Sequence, residues 1–90
     1  MINPDSDTLL TFPCTFPIKI MGLNESNFYE DVSLMVQNHF PHTLKKDYQI
    51  KYSKENKYIA ITVILNVHDK QTLDNLYIEL NKHPNIRMVL

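Results

Sequence analysis

The stretch Tyr58–Val67, reading YIAITVILNV, constrains this chain more than any other. Ile59, Ile61, Val63, Leu65 and Val67 take alternate positions and are all large and apolar; Tyr58, Ala60, Thr62, Ile64 and Asn66 between them are mixed. A period of two with β-branched residues on the apolar side predicts a long strand with one buried face. Such a strand needs a neighbour along each edge and a helical layer over its apolar face.

The rest of the chain supplies those parts in order. Over residues 14–22, Phe16, Ile18 and Ile20 alternate with Thr15, Pro17, Lys19 and Met21, which predicts a first strand. Pro17 has no amide hydrogen, so regular pairing is expected from about Ile18. Gly22, the single glycine, is expected to end the strand in a tight turn. Asn24 is placed to cap a helix over residues 25–39, whose apolar stripe is Phe28, Val32, Met35, Val36 and Phe40, and Pro41 stops it. Tyr48, Ile50 and Tyr52 alternate with Gln49 and Lys51 in a second strand over 47–53. The short polar link 54–57 makes a hairpin into Tyr58–Val67. Asp69 can cap a second helix with the stripe Leu73, Leu76, Tyr77 and Leu80, ended before Pro84. A closing strand over 86–90 sets Ile86, Met88 and Leu90 on one face and Arg87 and Val89 on the other.

Strand, helix, strand, strand, helix, strand is the order of a ferredoxin-like α+β sandwich. Right-handed crossovers give a four-stranded antiparallel sheet in the order 4-1-3-2 with both helices on one face. The most apolar strand then falls in the middle. The second strand is an edge, and its lysines discourage pairing with another sheet.

Ninety residues with 43% hydrophobic content fit one small domain, expected over residues 9–90. Residues 1–8, with Pro4, Asp5, Ser6 and Asp7, read as a flexible acidic arm; Leu9, Leu10, Phe12 and Pro13 are expected to fold back as an anchor. The net charge of −1 argues against binding nucleic acid through bulk electrostatics. The lone Cys14 cannot form an internal disulfide and fits a reducing compartment. The opening residues lack the basic and apolar regions of a signal peptide. The nearly apolar run 59–65 is far short of the roughly 20 residues of a membrane helix. A cytoplasmic protein with no membrane partner is expected.

Several pieces together look familiar: LLTFP at 9–13 followed by Phe16, Lys19-Ile20-Met21-Gly22, Leu76-Tyr77-Ile78-Glu79-Leu80 and Ile86-Arg87-Met88-Val89-Leu90. Their order and spacing resemble the YbeD family of small uncharacterised bacterial proteins, from about Leu9 onward. The resemblance implies a ferredoxin-like fold similar to the ACT regulatory domains, a bacterial cytoplasmic setting and no established enzymatic activity. It also implies a ligand loop at Gly22, Leu23 and Asn24, because the equivalent loop of ACT domains often contacts an amino-acid effector at a dimer interface. A helix N-terminus there would offer amide donors to a carboxylate, with Lys19 and Arg87 supplying positive charge on the open sheet face. The plainer reading is a glycine that turns and an asparagine that caps.

Other candidates are weaker. Lys45, Lys46, Lys51, Lys54 and Lys57 interleave with Tyr48, Tyr52 and Tyr58 in one hairpin, which could track a nucleic-acid backbone. Ala60 and Thr62 stand where an RNA-binding sheet wants aromatic residues, so a solvated edge hairpin is expected. His39 and His42 have a metal-ligand spacing, but Pro41 breaks the helix between them and no further ligand lies nearby; no metal or cofactor is expected. His68 and His83 read as residues flanking the second helix. Cys14 has no electropositive neighbours to activate it. Asp74 and Glu79 are five apart, which does not make them face each other. Met21, Ile64 and Val89 are more apolar than a free sheet face requires, which suggests a homodimer or protein contact. The reading is a non-enzymatic ACT-like regulatory domain that binds a small molecule or a protein partner. The alternative is a protein or nucleic-acid interaction module using the open face or the hairpin 45–57.

Overall fold

A computed structural model describes residues 12–25 and 27–90. The expected arm over 1–8, and Leu9 and Leu10 of the expected anchor, lie outside these residues. Phe12, the first described, packs against the core. The elements are β1 (Cys14–Leu23), α1 (Phe28–His39), a 3-10 turn (Lys45–Asp47), β2 (Tyr48–Tyr52), β3 (Tyr58–Val67), α2 (Lys70–Leu80) and β4 (Ile86–Val89). The strands form one antiparallel sheet in the order β2-β3-β1-β4, the expected order read from its other edge.

The two-residue period of β3 has the expected result. Ile59, Ile61, Val63, Leu65 and Val67 are buried with Ile18 and Ile20 of β1, beneath Phe28, Val32, Val36 and Phe40 of the α1 segment and Leu73, Leu76 and Leu80 of α2. Asp69 caps α2 as its side chain requires, with Oδ1 accepting from the Thr72 amide at 2.8 Å. The link 54–57 closes the hairpin, with Asn56 in the left-handed conformation at φ 59°.

Pairing of β1 does not wait for Ile18. It runs along all of β3, from Cys14 opposite Val67 to Leu23 opposite Tyr58. Pro17 is accommodated by the direction its nitrogen faces. Lys19 exchanges two backbone hydrogen bonds with Leu90, at 3.0 and 2.8 Å, on the β4 side. Two residues earlier, Pro17 faces the same way, where the described residues place no partner strand.

Three further sequence expectations are corrected. Gly22 lies inside β1, and its φ is not positive. It is small because a Cβ would press within 2.8 Å of the Phe28 ring and against the Asn85 carbonyl. Asn24 does not cap α1. Its amide donates to Lys57 O at 2.9 Å and its Nδ2 to Asn56 O at 2.8 Å, so it is held by the β2–β3 hairpin. The helix starts later, at Phe28, after Asn27 in a left-handed conformation at φ 68°.

The third correction concerns β4. Met21 pairs with Met88, but Gly22 pairs with Ile86. Arg87 is the extra residue of a β-bulge, and a bulge reverses the facing of everything beyond it. Val89 therefore stands opposite buried Ile20 and packs on the core with Ile86. Met88 and Leu90 take the open face, 50% and 61% exposed.

Candidate functional site

Around Gly22, residues distant in sequence form one knot. Leu23 N donates to Asn85 O at 2.9 Å, and Asn85 N donates to His83 Nδ1 at 3.1 Å. The His83 ring meets the Phe28 ring edge-on at 5.7 Å, and its Nε2 lies 3.0 Å from Asp31 Oδ2. Because Nδ1 accepts, Nε2 carries the hydrogen that the Asp31 carboxylate receives. His83 is thus a structural clasp between α1 and the turn before β4.

The same knot bears on the expected ligand loop at Gly22, Leu23 and Asn24. The amides of Leu23, Asn24, Glu25 and Phe28 donate to Asn85, Lys57, Leu23 and Glu25 carbonyls respectively. Gly22 is buried. Glu25, Glu30 and Asp31 surround the start of α1 with negative charge, which opposes a carboxylate there.

At the other end of the sheet is a pocket of about 590 Å³. It lies where the C-terminal ends of α1 and β3 meet the N-terminus of α2, with Thr15 of β1 on its wall. His39, His42 and His68, from three separate segments, line it. His39 is fixed by Glu79 of α2, with Nε2 2.6 Å from Oε1. His42 and His68 are exposed, and their rings have no hydrogen-bond partner among the described residues. Both carboxylates in the wall are occupied: Asp47 Oδ2 accepts from Leu44 N at 2.8 Å, and Asp69 caps α2. The Thr72 amide, foremost, and then its hydroxyl hold the Asp69 carboxyl below its ordinary value of 3.8. Among the described residues, no three His, Cys, Asp or Glu side chains are placed to hold a metal ion. The pocket suits a small polar molecule recognised by hydrogen bonds from imidazole, hydroxyl and Asn66 amide groups. Sequence spacing pairs His39 with His42 but leaves His68 apart, as a residue flanking the second helix. The signal it passed over was topological, because each sits at an element end that the fold brings to the same place.

The open sheet face carries Lys19, Met21 and Ile64 as expected, with Ile64 41% exposed. Val89 is absent from it for the reason given above. Arg87 is exposed, but its Nη1 donates to the Pro84 carbonyl at 2.6 Å, which turns its charge toward the start of β4. In the hairpin, Lys57 lies 5.6 Å from the Tyr58 ring centre. Tyr48 instead packs on the core, edge-on to Tyr29 at 5.7 Å. No helix among the described residues is long and apolar enough to cross a membrane.

The family model described as "Protein of unknown function (DUF493)" matches residues 7–90. A UPF0250 protein of Chromobacterium violaceum is 34% identical over 89 residues, covering 99% of this chain and 100% of that one. A UPF0250 protein of Buchnera aphidicola is 37% identical over 84 residues, covering 91% and 92%. In structure, the chain is similar to the ACT domain from GTP pyrophosphokinase of Chlorobium tepidum, with a TM-score of 0.68, 13% identity, and coverage of 86% and 83%. It is equally similar to protein HP0495 from H. pylori, with a TM-score of 0.68, 10% identity, and coverage of 90% and 85%. These structural likenesses establish an ACT-like, ferredoxin-like fold.

Proposed function

The chain belongs to the DUF493 family, and from that premise we propose that it is a non-enzymatic, ACT-like regulatory domain that binds a small molecule. The observation that carries the reading is the pocket of about 590 Å³ at the α2 N-terminus. Its size falls in the range of about 300–1,000 Å³ typical of small-molecule sites, and it presents two imidazoles with no hydrogen-bond partner among the described residues. The ligand is assigned to this pocket, and not to Gly22, Leu23 and Asn24, because the amides of that loop are already engaged. A thermal-shift screen of amino acids, nucleotides and cofactors tests the reading. A ligand at about 100 times its dissociation constant adds roughly 2.7 kcal/mol of stability. His42→Ala with His68→Ala should remove that gain. An equal gain in the variant would reject the pocket.

A second reading is a protein contact, either a homodimer or a different partner. It is supported by exposed Ile64, Met88 and Leu90 on the open face beside Met21. Sedimentation of the wild type and Ile64→Lys over a concentration series tests it. A wild type that is monomeric throughout would reject the homodimer. The nucleic-acid alternative has less support, because Tyr48 packs inward and Ala60 and Thr62 occupy the middle of the face.

A further inference from the structure

The strands of this fold carry cations but no acidic side chain. The cations are Lys19, Lys51 and Arg87; the acidic residues of the described chain all lie on helices and loops. With Arg87 turned to the Pro84 carbonyl, the two cations left on the open face are Lys19 and Lys51. Neither forms an ion pair among the described residues.

The register brings these two lysines to one spot. Gln49, Thr62 and Lys19 stand side by side across β2, β3 and β1, and Lys51, Ala60 and Met21 form the next row. Between the long lysine arms, β3 contributes only the short side chains of Ala60 and Thr62. The result is a depression of about 140 Å³ lined by Lys19, Gln49, Lys51, Ala60 and Thr62. Its two bases rise from strands on either side of β3, about 10 Å apart, so both ammonium groups can reach an atom held above Ala60. Two like charges so placed repel each other, and an anion between them turns that repulsion into attraction. The Gln49 amide and the Thr62 hydroxyl add two neutral donors.

We propose that this depression is an oxyanion site, taking the carboxylate or phosphate group of a small molecule between Lys19 and Lys51. It shares no lining residue with the histidine-lined pocket, and it stands whether or not that pocket binds a ligand.

Amide chemical shifts of the full chain, followed while inorganic phosphate and, separately, sodium acetate are added, test the site against sodium chloride at matched ionic strength. Saturating shifts at Lys19, Gln49, Lys51, Ala60 and Thr62 are expected with at least one oxyanion. Phosphate alone would identify a phosphate group as the ligand, acetate alone a carboxylate, and both a general oxyanion site. Lys19→Gln and Lys51→Gln should each weaken binding about two- to fivefold, and the double variant should abolish it. Both side chains are exposed, and the same spectra report whether the fold is kept. Shifts equal to those in chloride, or saturation unchanged in the double variant, would overturn the proposal. Asn66 and Thr72 amides report separately on the histidine-lined pocket, so failure of one site is distinguishable from failure of the other.

Discussion

The Phe28 ring stands where a side chain on Gly22 would have to be, with Cε1 and Cζ both 2.8 Å from the position of a Cβ there. Phe28 is 1% exposed and belongs to the core, so it has little room to withdraw. Gly22→Ala should therefore cost about 1–3 kcal/mol, the usual range for overpacking. Urea denaturation measures it. Pairing it with Phe28→Leu should give less loss than the two single changes added together. Strict additivity would show that the ring is not what excludes the Cβ.

Facing beyond the bulge can be read by charge insertion. Val89 packs on the core and Met88 is half exposed. Val89→Lys should destabilise by about 2 kcal/mol or more, through a cation placed against apolar side chains. Met88→Lys should stay within about 0.5 kcal/mol of the wild type. The reverse order in thermal denaturation would restore the regular alternation of β4.

Tyr48 packs its ring on the core and buries its hydroxyl beside the Gln37 side chain, without a hydrogen bond of good geometry to it. Tyr48→Phe should leave stability unchanged or raise it by up to about 1 kcal/mol, because no well-formed bond is lost and a desolvated group is removed. A clear loss of stability would show that the hydroxyl has a partner.

Alkaline stability gives a second test of the tyrosines. Burial, foremost, raises the ionisation of Tyr48 and of Tyr77 above the ordinary 10.0, with neighbouring Tyr29 next for Tyr48 and Asp74 for Tyr77. The folded chain keeps these protons when the unfolded chain has begun to release them. Stability is therefore full below pH 10.0 and falls as pH rises through the folded values. Tyr48→Phe and Tyr77→Phe should each flatten that fall. A melting temperature unaffected by either change above pH 10.0 would contradict it.

At the acid end the corresponding group is Asp69, whose carboxyl is lowered by the Thr72 amide and hydroxyl. A depressed carboxylate contributes stability above its unfolded value of 3.8 and loses it as pH falls through the folded value. Asp69→Asn keeps a capping oxygen and should remove this pH dependence; Asp69→Ala should lower the melting temperature at neutral pH as well. Identical acid profiles for the wild type and Asp69→Asn would place the transition elsewhere.

The strand order, both helical stripes and the α2 cap were legible in the sequence because each depends on local period or on a neighbour within one turn. The Arg87 bulge was not, since IRMVL alternates acceptably in either facing and only pairing with β1 decides between them. Asn24 was misread for a related reason. Its partners, Asn56 and Lys57, lie across the fold, and an asparagine before an apolar stripe looks like a cap whether or not the helix begins there. Alternation and strand order put Lys19 and Lys51 on the same open face, and the register alone set them in successive rows on either side of Ala60 and Thr62. His68 joined the pair His39 and His42 only when three element ends met.

The short reach of β4 has a consequence for the chain in a crowded solution. A central strand uncovered at one end offers a template on which another chain could add and begin cross-β growth. Among the described residues the uncovered length is short, and Pro17 lies within it. An incoming strand would find an acceptor at the Pro17 carbonyl and no donor beside it. The residue that looked out of place in a central strand interrupts the template where the described residues give β1 no partner.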